Sequence, residues 1–328
     1  MRLPMLLAGL LAASSASAGE QLRLSGGTTY DRDDANSTYG WELDYGHGLG
    51  EHVRVTVGWL NEGHQDNDHR DGFTAQLWAR AYPFEHLAVA LGAGPYLFFD
   101  TARDEAHPTF SRYDNSHGLR PIYSAEITWF VGQSWLVYLR TNRIEAGAHD
   151  STMHIIGIGY RFDERPVGAS FAGGTGTHQV EVFLGRTTLN SFAPERSTAY
   201  SVDYRHALTP YAEWTLGWLN EGGNEIIRRN GITSQLWLVH PLPLDGFTLG
   251  IGAGAYVVVN QENQVFVLNG NGKPVRVGDD DDRLAGIVSL TASYDFTPRW
   301  TARASFNRLL TRYDRDADVL LLGAGYRF

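Results

Sequence analysis

The chain contains two copies of one long repeat. The segment 58–63, GWLNEG, recurs unchanged at 217–222, which is 159 residues later (217 − 58). Shorter stretches around Asp44 and Trp78 recur at the same offset. Repeats that stack into solenoids have periods of about 20–50 residues. Each copy is therefore the size of a complete small domain, and the sequence predicts two similar domains in tandem.

The first residues have the features of an export signal. Arg2 provides a positive charge, residues 3–13 are apolar, and Ala16-Ser17-Ala18 is a small-residue cleavage site. The apolar run is shorter than the roughly 20 residues that a membrane-spanning helix needs. We therefore expect residues 1–18 to be a signal peptide, cleaved near Ala18.

Composition narrows the class of exported protein. Cysteine is absent, which excludes disulfides and thiol chemistry. Aromatic residues make up 12% of the chain, and 37 residues are glycine. The net charge of −10 argues against nucleic acid as a partner. An exported, Gly- and aromatic-rich chain without a long apolar helix is typical of a Gram-negative outer-membrane β-barrel.

Alternation of residue types predicts the strands. Across 247–259 every second residue from Phe247 onward is apolar, whereas the residues between them include three glycines. Such a segment suits lipid on one face and a crowded interior on the other. Each copy contains eight segments of this kind, separated by alternating short turns and longer polar loops. The segments begin near Leu22, Tyr39, Val53, Phe73, Leu87, Tyr123, Trp135 and Thr152, and near Val180, Tyr200, Trp214, Ile232, Phe247, Ile287, Trp300 and Val319.

The sequence predicts an all-β fold with two tandem eight-stranded transmembrane antiparallel barrels. Residues 19–162 would form the first barrel, 163–178 a periplasmic linker and 179–328 the second barrel. A single sixteen-stranded barrel is the alternative, but it would need only a tight turn in place of this long Gly-rich linker. Trp78 and Trp237 are predicted to face inward against glycines, as in a narrow barrel, whereas sixteen strands would enclose a channel.

Charged residues also fall on the predicted inward faces. Because an unpaired buried charge is costly, these side chains should pair with one another inside each barrel. They are Glu42, Asp44, Arg80, Glu126, Arg140 and Arg161 in the first copy, and Glu181, Asp203, Arg205, Arg303 and Arg327 in the second.

The layout resembles that of small outer-membrane barrels of the OmpA-like and lipid A 3-O-deacylase types. The deacylase resemblance covers the last four strands of each copy, and that family carries a catalytic His-x-Ser-Asn on its seventh strand. Here the corresponding segments are 139–142, LRTN, and 304–307, ASFN. Asn matches in both copies and Thr141 replaces Ser in one, but the His is absent from both. Without that base the nucleophile would not be activated, so we lean against an enzyme.

Two repeated residue pairs are candidate binding positions where strands enter the long loops. In one reading they hold a sugar, a lipid head group or a cation at the rim, and Arg would suit lipopolysaccharide phosphates. In the other reading Asn-Glu-Gly sets the strand-to-loop turn, and the second pair anchors a solvated loop. The candidates are Asn61, Glu62, Asn142 and Arg143 in the first copy, and Asn220, Glu221, Asn307 and Arg308 in the second.

The leading functional interpretation is a non-enzymatic outer-membrane barrel with a structural, envelope or surface-interaction role. A porin-like channel is the alternative if the copies merge into sixteen strands, and a lipid A-modifying acyl hydrolase is a further alternative. We expect no cofactor and no metal. The expected partners are outer-membrane lipids and lipopolysaccharide, together with the barrel-assembly machinery, which the terminal strand ending in Phe328 would engage during biogenesis.

Overall fold

The chain forms two closed antiparallel β-barrels of eight strands each. The computed structural model describes residues 19–31, 37–65, 68–103, 113–145, 150–162, 177–190, 195–223, 227–263, 266–268, 274–276 and 283–328. The predicted signal peptide and all of the predicted linker except its last two residues lie outside these ranges. No helix in the described part of the chain is long and apolar enough to span a membrane.

The first barrel is a simple up-and-down meander. Each strand pairs with its neighbours in sequence, and β1 closes the barrel by pairing with β8 from Gln21↔Arg161 to Asp31↔Ser151. Its strands are β1 (Gln21–Asp31), β2 (Ser37–Gly48), β3 (Val53–Gln65), β4 (Asp68–Phe84), β5 (Leu87–Arg103), β6 (Tyr113–Val131), β7 (Trp135–Ile144) and β8 (Ser151–Arg161).

The second barrel repeats this order. Its strands are β9 (His178–Leu189), β10 (Arg196–Thr209), β11 (Ala212–Gly223), β12 (Ile227–Pro241), β13 (Phe247–Asn263), β16 (Leu284–Asp295), β17 (Trp300–Leu310) and β18 (Ala317–Arg327). Two short strands, β14 (Phe266–Leu268) and β15 (Pro274–Arg276), pair only with each other and lie between β13 and β16 in sequence. Strand β18 closes the barrel against β9.

These pairings confirm the two-barrel prediction, and the sixteen-stranded alternative is wrong. Strand β8 pairs with β1 and not with β9, and β18 pairs with β9. The first and last strands of each copy therefore pair with each other, and neither barrel has an open edge. We call the edge at which β1, β3, β5 and β7 end, and its equivalent in the second barrel, the upper rim. The opposite edge is the lower rim.

Several strands reach further toward the upper rim than the sequence predicts. Strand β4 begins at Asp68 instead of near Phe73, and β6 begins at Tyr113 instead of near Tyr123. The added residues are mostly polar and lack the apolar alternation of a lipid-facing wall. They nevertheless pair across strands, as His64 does with His69. Polar segments predicted as loops therefore extend the wall of the first barrel.

The two faces of the wall differ as the alternation predicts. Outward side chains are apolar and exposed, such as Leu91 at 70% and Leu322 at 68% exposure. Inward side chains are buried and largely polar or charged, such as Arg23, Glu42 and Arg140. This distribution is the reverse of a water-soluble domain, and it is what a lipid-embedded barrel requires.

Large side chains fill the centre opposite glycines. Trp78 pairs in register with Gly92, and a Cβ on Gly92 would lie 2.6 Å from the indole ring. Trp237 and Gly252 repeat the arrangement, with a corresponding distance of 2.5 Å. The predicted inward orientation of both tryptophans is confirmed.

Candidate functional site

Glu126 is the centre of the charged interior of the first barrel. Its carboxylate accepts from Arg23 Nη1 at 3.0 Å, from Arg54 Nη2 at 3.1 Å and from Arg140 Nη2 at 2.7 Å. Thr128 Oγ1 donates to it at 2.7 Å. Three guanidinium groups, carried on β1, β3 and β7, therefore converge on one carboxylate of β6.

Arg140 extends this network across the lumen. Its Nη1 donates to Glu42 at 2.7 Å and to Asp44 at 3.0 Å, so β7 is joined to β2 on the other side of the barrel. Arg23 Nε also donates to Asp44 at 2.7 Å. Three arginines and three carboxylates thus form one network whose formal charges cancel, as a buried ionic cluster requires.

The second barrel contains a smaller network with a different centre. Glu181 accepts from Arg205 at 2.9 Å and from Arg303 at 2.7 Å. Arg205 also donates to Glu213 at 2.6 Å. Asp203 accepts a hydrogen bond from Ser201. The predicted pairing of inward charges is therefore present in both barrels, but with different partners. Arg80 and Arg161, also predicted to pair with inward charges, instead donate to the backbone carbonyls of Gly50 and Gln133.

Equivalent positions in the two strand registers explain this difference. Arg23 is the register partner of Asp44, and Glu181 is the register partner of the equivalent Asp203. The positive charge at this inward position of the first barrel is therefore replaced by a negative charge in the second. Arg54 pairs with Trp78 as Glu213 does with Trp237, which is a second reversal. The arginines that compensate, Arg205 and Arg303, stand where the first barrel has Gly46 and Tyr138.

A neutral layer of the interior is unchanged between the copies. Ser124 Oγ lies 2.8 Å from Gln76 Oε1 and 2.7 Å from Asn142 Oδ1. Ser289 lies at the same two distances from Gln235 and Asn307. The predicted site residues Asn142 and Asn307 therefore face the lumen, where they belong to a duplicated hydrogen-bond layer.

The Asn-Glu-Gly motif forms a bend in β3 and in β11. Gly63 N donates to Asn61 Oδ1 at 2.9 Å, and Gly63 has a φ of 86°. Gly222 N donates to Asn220 Oδ1 at 2.7 Å with a φ of 77°. Such a φ favours glycine, so this arrangement accounts for the repeated Asn and Gly.

The glutamate of the same motif turns into the barrel. Glu62 accepts two bonds from Arg70, at 2.6 and 2.7 Å, and a further one from Ser151 on β8. Glu221 accepts from Arg229 at 2.7 Å. Both glutamates are therefore engaged in buried ion pairs near the upper rim.

Arg143 and Arg308 follow the inward asparagines on their strands, and the side chain of Arg143 is partly exposed whereas that of Arg308 is buried. Arg143 Nη2 lies 2.7 Å from Asp150, and Arg308 Nε lies 2.6 Å from Asp318. Each arginine follows an asparagine that points inward, so the strand alternation separates the two members of the predicted pair. The candidate residues are therefore divided between bend, lumen and outer wall and do not form one cluster.

A hydroxyl–imidazole pair on the outer wall was missed by the sequence analysis. Thr141 Oγ1 lies 2.9 Å from His154 Nδ1, and the two residues are register partners on β7 and β8. The ring of Tyr30 meets the imidazole edge-on, with the centroids 5.9 Å apart. The histidine was missed because it comes from the neighbouring strand, thirteen residues after Thr141 (154 − 141), and not from the same strand segment. Within the described residues no group of three His, Asp or Glu side chains is arranged to hold a metal ion.

Solved structures similar to this chain are outer-membrane barrels. The N-terminal β-barrel domain of Pseudomonas aeruginosa OprF is 11% identical, covers 44% of this chain and 100% of its own, and has a TM-score of 0.35. Neisserial surface protein A is 10% identical, covers 44% of this chain and 96% of its own, and scores 0.35. The CymD monoaromatic hydrocarbon channel is 9% identical, covers 98% of this chain and 92% of its own, and has a TM-score of 0.24.

The first two of these structures are small eight-stranded barrels. No protein-family model matches the chain, and no curated protein matches it significantly. Since the TM-scores of these three structures lie below 0.5, the fold of this chain is established by its own strand pairing.

Proposed function

We propose that the protein is an integral outer-membrane protein whose two closed barrels have a structural, envelope or surface-interaction role and do not conduct. The observation that carries this proposal is the ionic network across the first lumen. Arg140 of β7 reaches Glu42 of β2, while Arg54 of β3 reaches Glu126 of β6. Side chains from facing parts of the wall therefore meet in the centre of the barrel.

The wall supports the membrane part of this proposal. Exposed leucines, valines and isoleucines alternate with buried residues on β1, β8, β9 and β18, and the buried residues of β1 and β9 are mostly polar. Exposure of such an apolar exterior to water would be costly, whereas in a bilayer the same side chains contact apolar lipid chains. Aromatic side chains such as Trp135 and Tyr160 lie near the lower rim, where an interfacial girdle belongs.

The interior argues against a channel. An eight-stranded barrel has room for little more than its own inward side chains. Here these side chains include Trp78 and Tyr138, which both contact the guanidinium of Arg140, at 4.8 and 5.1 Å from the ring centroids. The porin-like alternative required one sixteen-stranded barrel, and that requirement is not met.

Cells provide the test of this proposal. A strain lacking the protein should take up more of a large hydrophilic antibiotic and resist detergent less well, and expression of the wild-type chain should reverse both effects. In the complemented strain the protein should fractionate with outer membranes and should migrate differently on gels before and after heating. Recovery in the soluble periplasmic fraction would contradict the proposal, and so would an unchanged envelope in the deletion strain.

The Thr141–His154 pair favours a second candidate, an acyl hydrolase acting on lipid A. The resemblance to lipid A deacylases places Thr141 at the nucleophile position, and His154 Nδ1 is within hydrogen-bonding distance to accept its proton. Both side chains are on the lipid-facing side of the wall, where an ester of an outer-leaflet lipid would be accessible. No carboxylate of the described residues contacts His154, so the imidazole lacks the orienting acid of a complete triad.

Mass spectrometry of lipid A decides this second candidate. If the pair is catalytic, expression of the wild-type chain removes an acyl chain, and both Thr141→Val and His154→Phe abolish the change. The second barrel offers no competing pair, because Phe306 and Leu320 take the two positions. Identical lipid A with and without the protein would eliminate the enzyme.

A further inference from the structure

Two arginines on the outer wall of the second barrel have no acidic partner within the part of the chain that the structure describes. Arg186 on β9 and Arg196 at the start of β10 are exposed. Thr198 is the register partner of Arg186, and Thr188 is the register partner of Arg196. Arg186 and Arg196 are therefore diagonal neighbours on adjoining strands, about 7–8 Å apart at their Cβ atoms, which lets both guanidinium groups reach one anion. Among the described residues neither arginine takes part in an ion pair or a side-chain hydrogen bond.

A third arginine lies nearby but is buried and does not belong to this surface. Arg308 on β17 is 2% exposed and is paired with Asp318 on β18, which is in register with Thr188 of β9. The ion pair with Asp318 offsets the charge of Arg308 but leaves Arg186 and Arg196 uncompensated. Glu195 precedes Arg196 in sequence, and no ion pair joins the two. We call Arg186 and Arg196 the basic rim patch.

The wall directly below the patch is apolar. Val182 and Leu184 precede Arg186 on the outer face of β9, and Leu320 and Leu322 lie beside them on β18. These four side chains are 58–68% exposed, among the most exposed apolar residues in the described part of the chain. A ligand that fits this surface has a negatively charged head at the level of the arginines and hydrocarbon chains below it.

We propose that the basic rim patch binds the phosphate groups of an outer-leaflet lipid, with its acyl chains against Val182, Leu184, Leu320 and Leu322. Planar guanidinium groups bind phosphate through paired, charge-assisted hydrogen bonds. The apolar wall distinguishes a phosphorylated lipid from free phosphate, which would gain nothing from it. This inference rests on the proposed membrane location, since an outer-leaflet lipid reaches the patch only if the barrel is embedded.

The site is specific to the second copy. Thr28 and Ser37 occupy the equivalent positions of the first barrel, as the register of β1 with β2 shows. The duplication therefore supplies an internal comparison between two similar walls, of which only one carries the arginines. A specific lipid contact on one barrel would also give the two copies different roles.

The experiment measures binding of bisphosphorylated lipid A to the refolded mature protein in detergent. The comparison variant is R186Q/R196Q, and the matched control is R228Q, which removes an exposed arginine from β12 of the same rim. We expect the double variant to bind about tenfold more weakly or worse, because it loses charge-assisted contacts to the phosphate. R228Q should bind as the wild type does. Removal of the phosphates from the ligand should have the same effect as removal of the two arginines. The wild type should therefore bind dephosphorylated lipid A as weakly as the double variant binds bisphosphorylated lipid A.

A gain-of-function variant makes the test independent of any loss of folding. T28R/S37R places the two arginines on the first barrel, and it should bind one additional equivalent of lipid A. Wild-type affinity in R186Q/R196Q would overturn the proposal. Complete displacement of lipid A by inorganic phosphate would also overturn it, because the site would then recognise the free anion.

Membrane insertion is measured on the same preparations to separate this inference from the proposed function. Failure of the wild-type chain to insert into vesicles would contradict the proposed function itself. Correct insertion of both proteins, with equal lipid A binding by wild type and R186Q/R196Q, would contradict only the lipid site.

Discussion

The indole of Trp78 occupies the space that a side chain on Gly92 would need. A Cβ at Gly92 would lie 2.6 Å from the ring, while the indole Nε1 donates to Thr56 at 2.9 Å. Trp237 has the same relation to Gly252, and it donates to Thr215 at the same distance. Each barrel is thus filled by a tryptophan that is held from one neighbouring strand and accommodated by a glycine of the other.

Gly92→Val should destabilise the first barrel. The added side chain would displace the indole from Thr56, and overpacking of this kind typically costs about 1–3 kcal/mol. Urea-induced loss of the folded gel species, measured in lipid vesicles, reports the change. Ala93→Val is the matched control, because Ala93 is exposed on the outer face of the same strand. Equal stability of the two variants would show that the Trp78–Gly92 contact is not required.

Glu126→Gln should be the most damaging single neutralisation of a carboxylate in the ionic interior. Three guanidinium groups would lose their shared carboxylate, and breaking a buried pair by removing one partner typically costs about 3–5 kcal/mol. The same urea titration tests this expectation. Glu85→Gln, an exposed change at a lower-rim turn, controls for removal of a carboxylate and should have little effect. A Glu126→Gln barrel as stable as the wild type would contradict the central role of Glu126.

The charge reversals between the barrels predict strong non-additivity. Arg23→Glu alone places a fourth carboxylate beside Asp44 and Glu126, so the first barrel should fail to fold. Transfer of the complete second-barrel set should restore folding, since each charge then regains the partner it has in the second barrel. The set is R23E, E42S, G46R, R54E, E126T, Y138R and R140S. The refolding yield of both variants is measured by heat-modifiable migration on gels. If R23E folds and the variant with the complete set does not, the pairing described here is contradicted.

Glu62→Gln and Glu221→Gln should lower the stability of their own barrels. Each change weakens a buried pair with an arginine, Arg70 or Arg229, near the upper rim. Arg143→Gln is the control, because its pair with Asp150 is partly exposed and should contribute about 1 kcal/mol at most. Thermal loss of the folded gel species ranks the three variants. A larger effect of Arg143→Gln would contradict the structural role of the two glutamates.

Two-residue alternation and the repeat were sufficient to predict two closed barrels from sequence. Alternation also assigned Trp78 and inward charges such as Glu126 and Arg140 to the lumen, because the apolar face of each strand must face the lipid. The predicted inward charges did not include Arg23, Arg54 or Glu213. Alternation could not predict that Arg140 contacts Glu42, since the partners across a lumen depend on shear and side-chain reach. It started β4 and β6 too late, because wall segments beyond the lipid carry no apolar face. His154 was missed since its partner Thr141 lies on another strand.

Single-channel recording of the refolded full-length protein in a planar bilayer tests the central claim most directly. Two separate barrels, each filled by its own side chains, predict a silent bilayer once folding has been verified by heat-modifiable migration. Large, stable and reproducible conductance steps from the wild-type protein would contradict the account, because they require an open aqueous lumen where the arginines and carboxylates are placed.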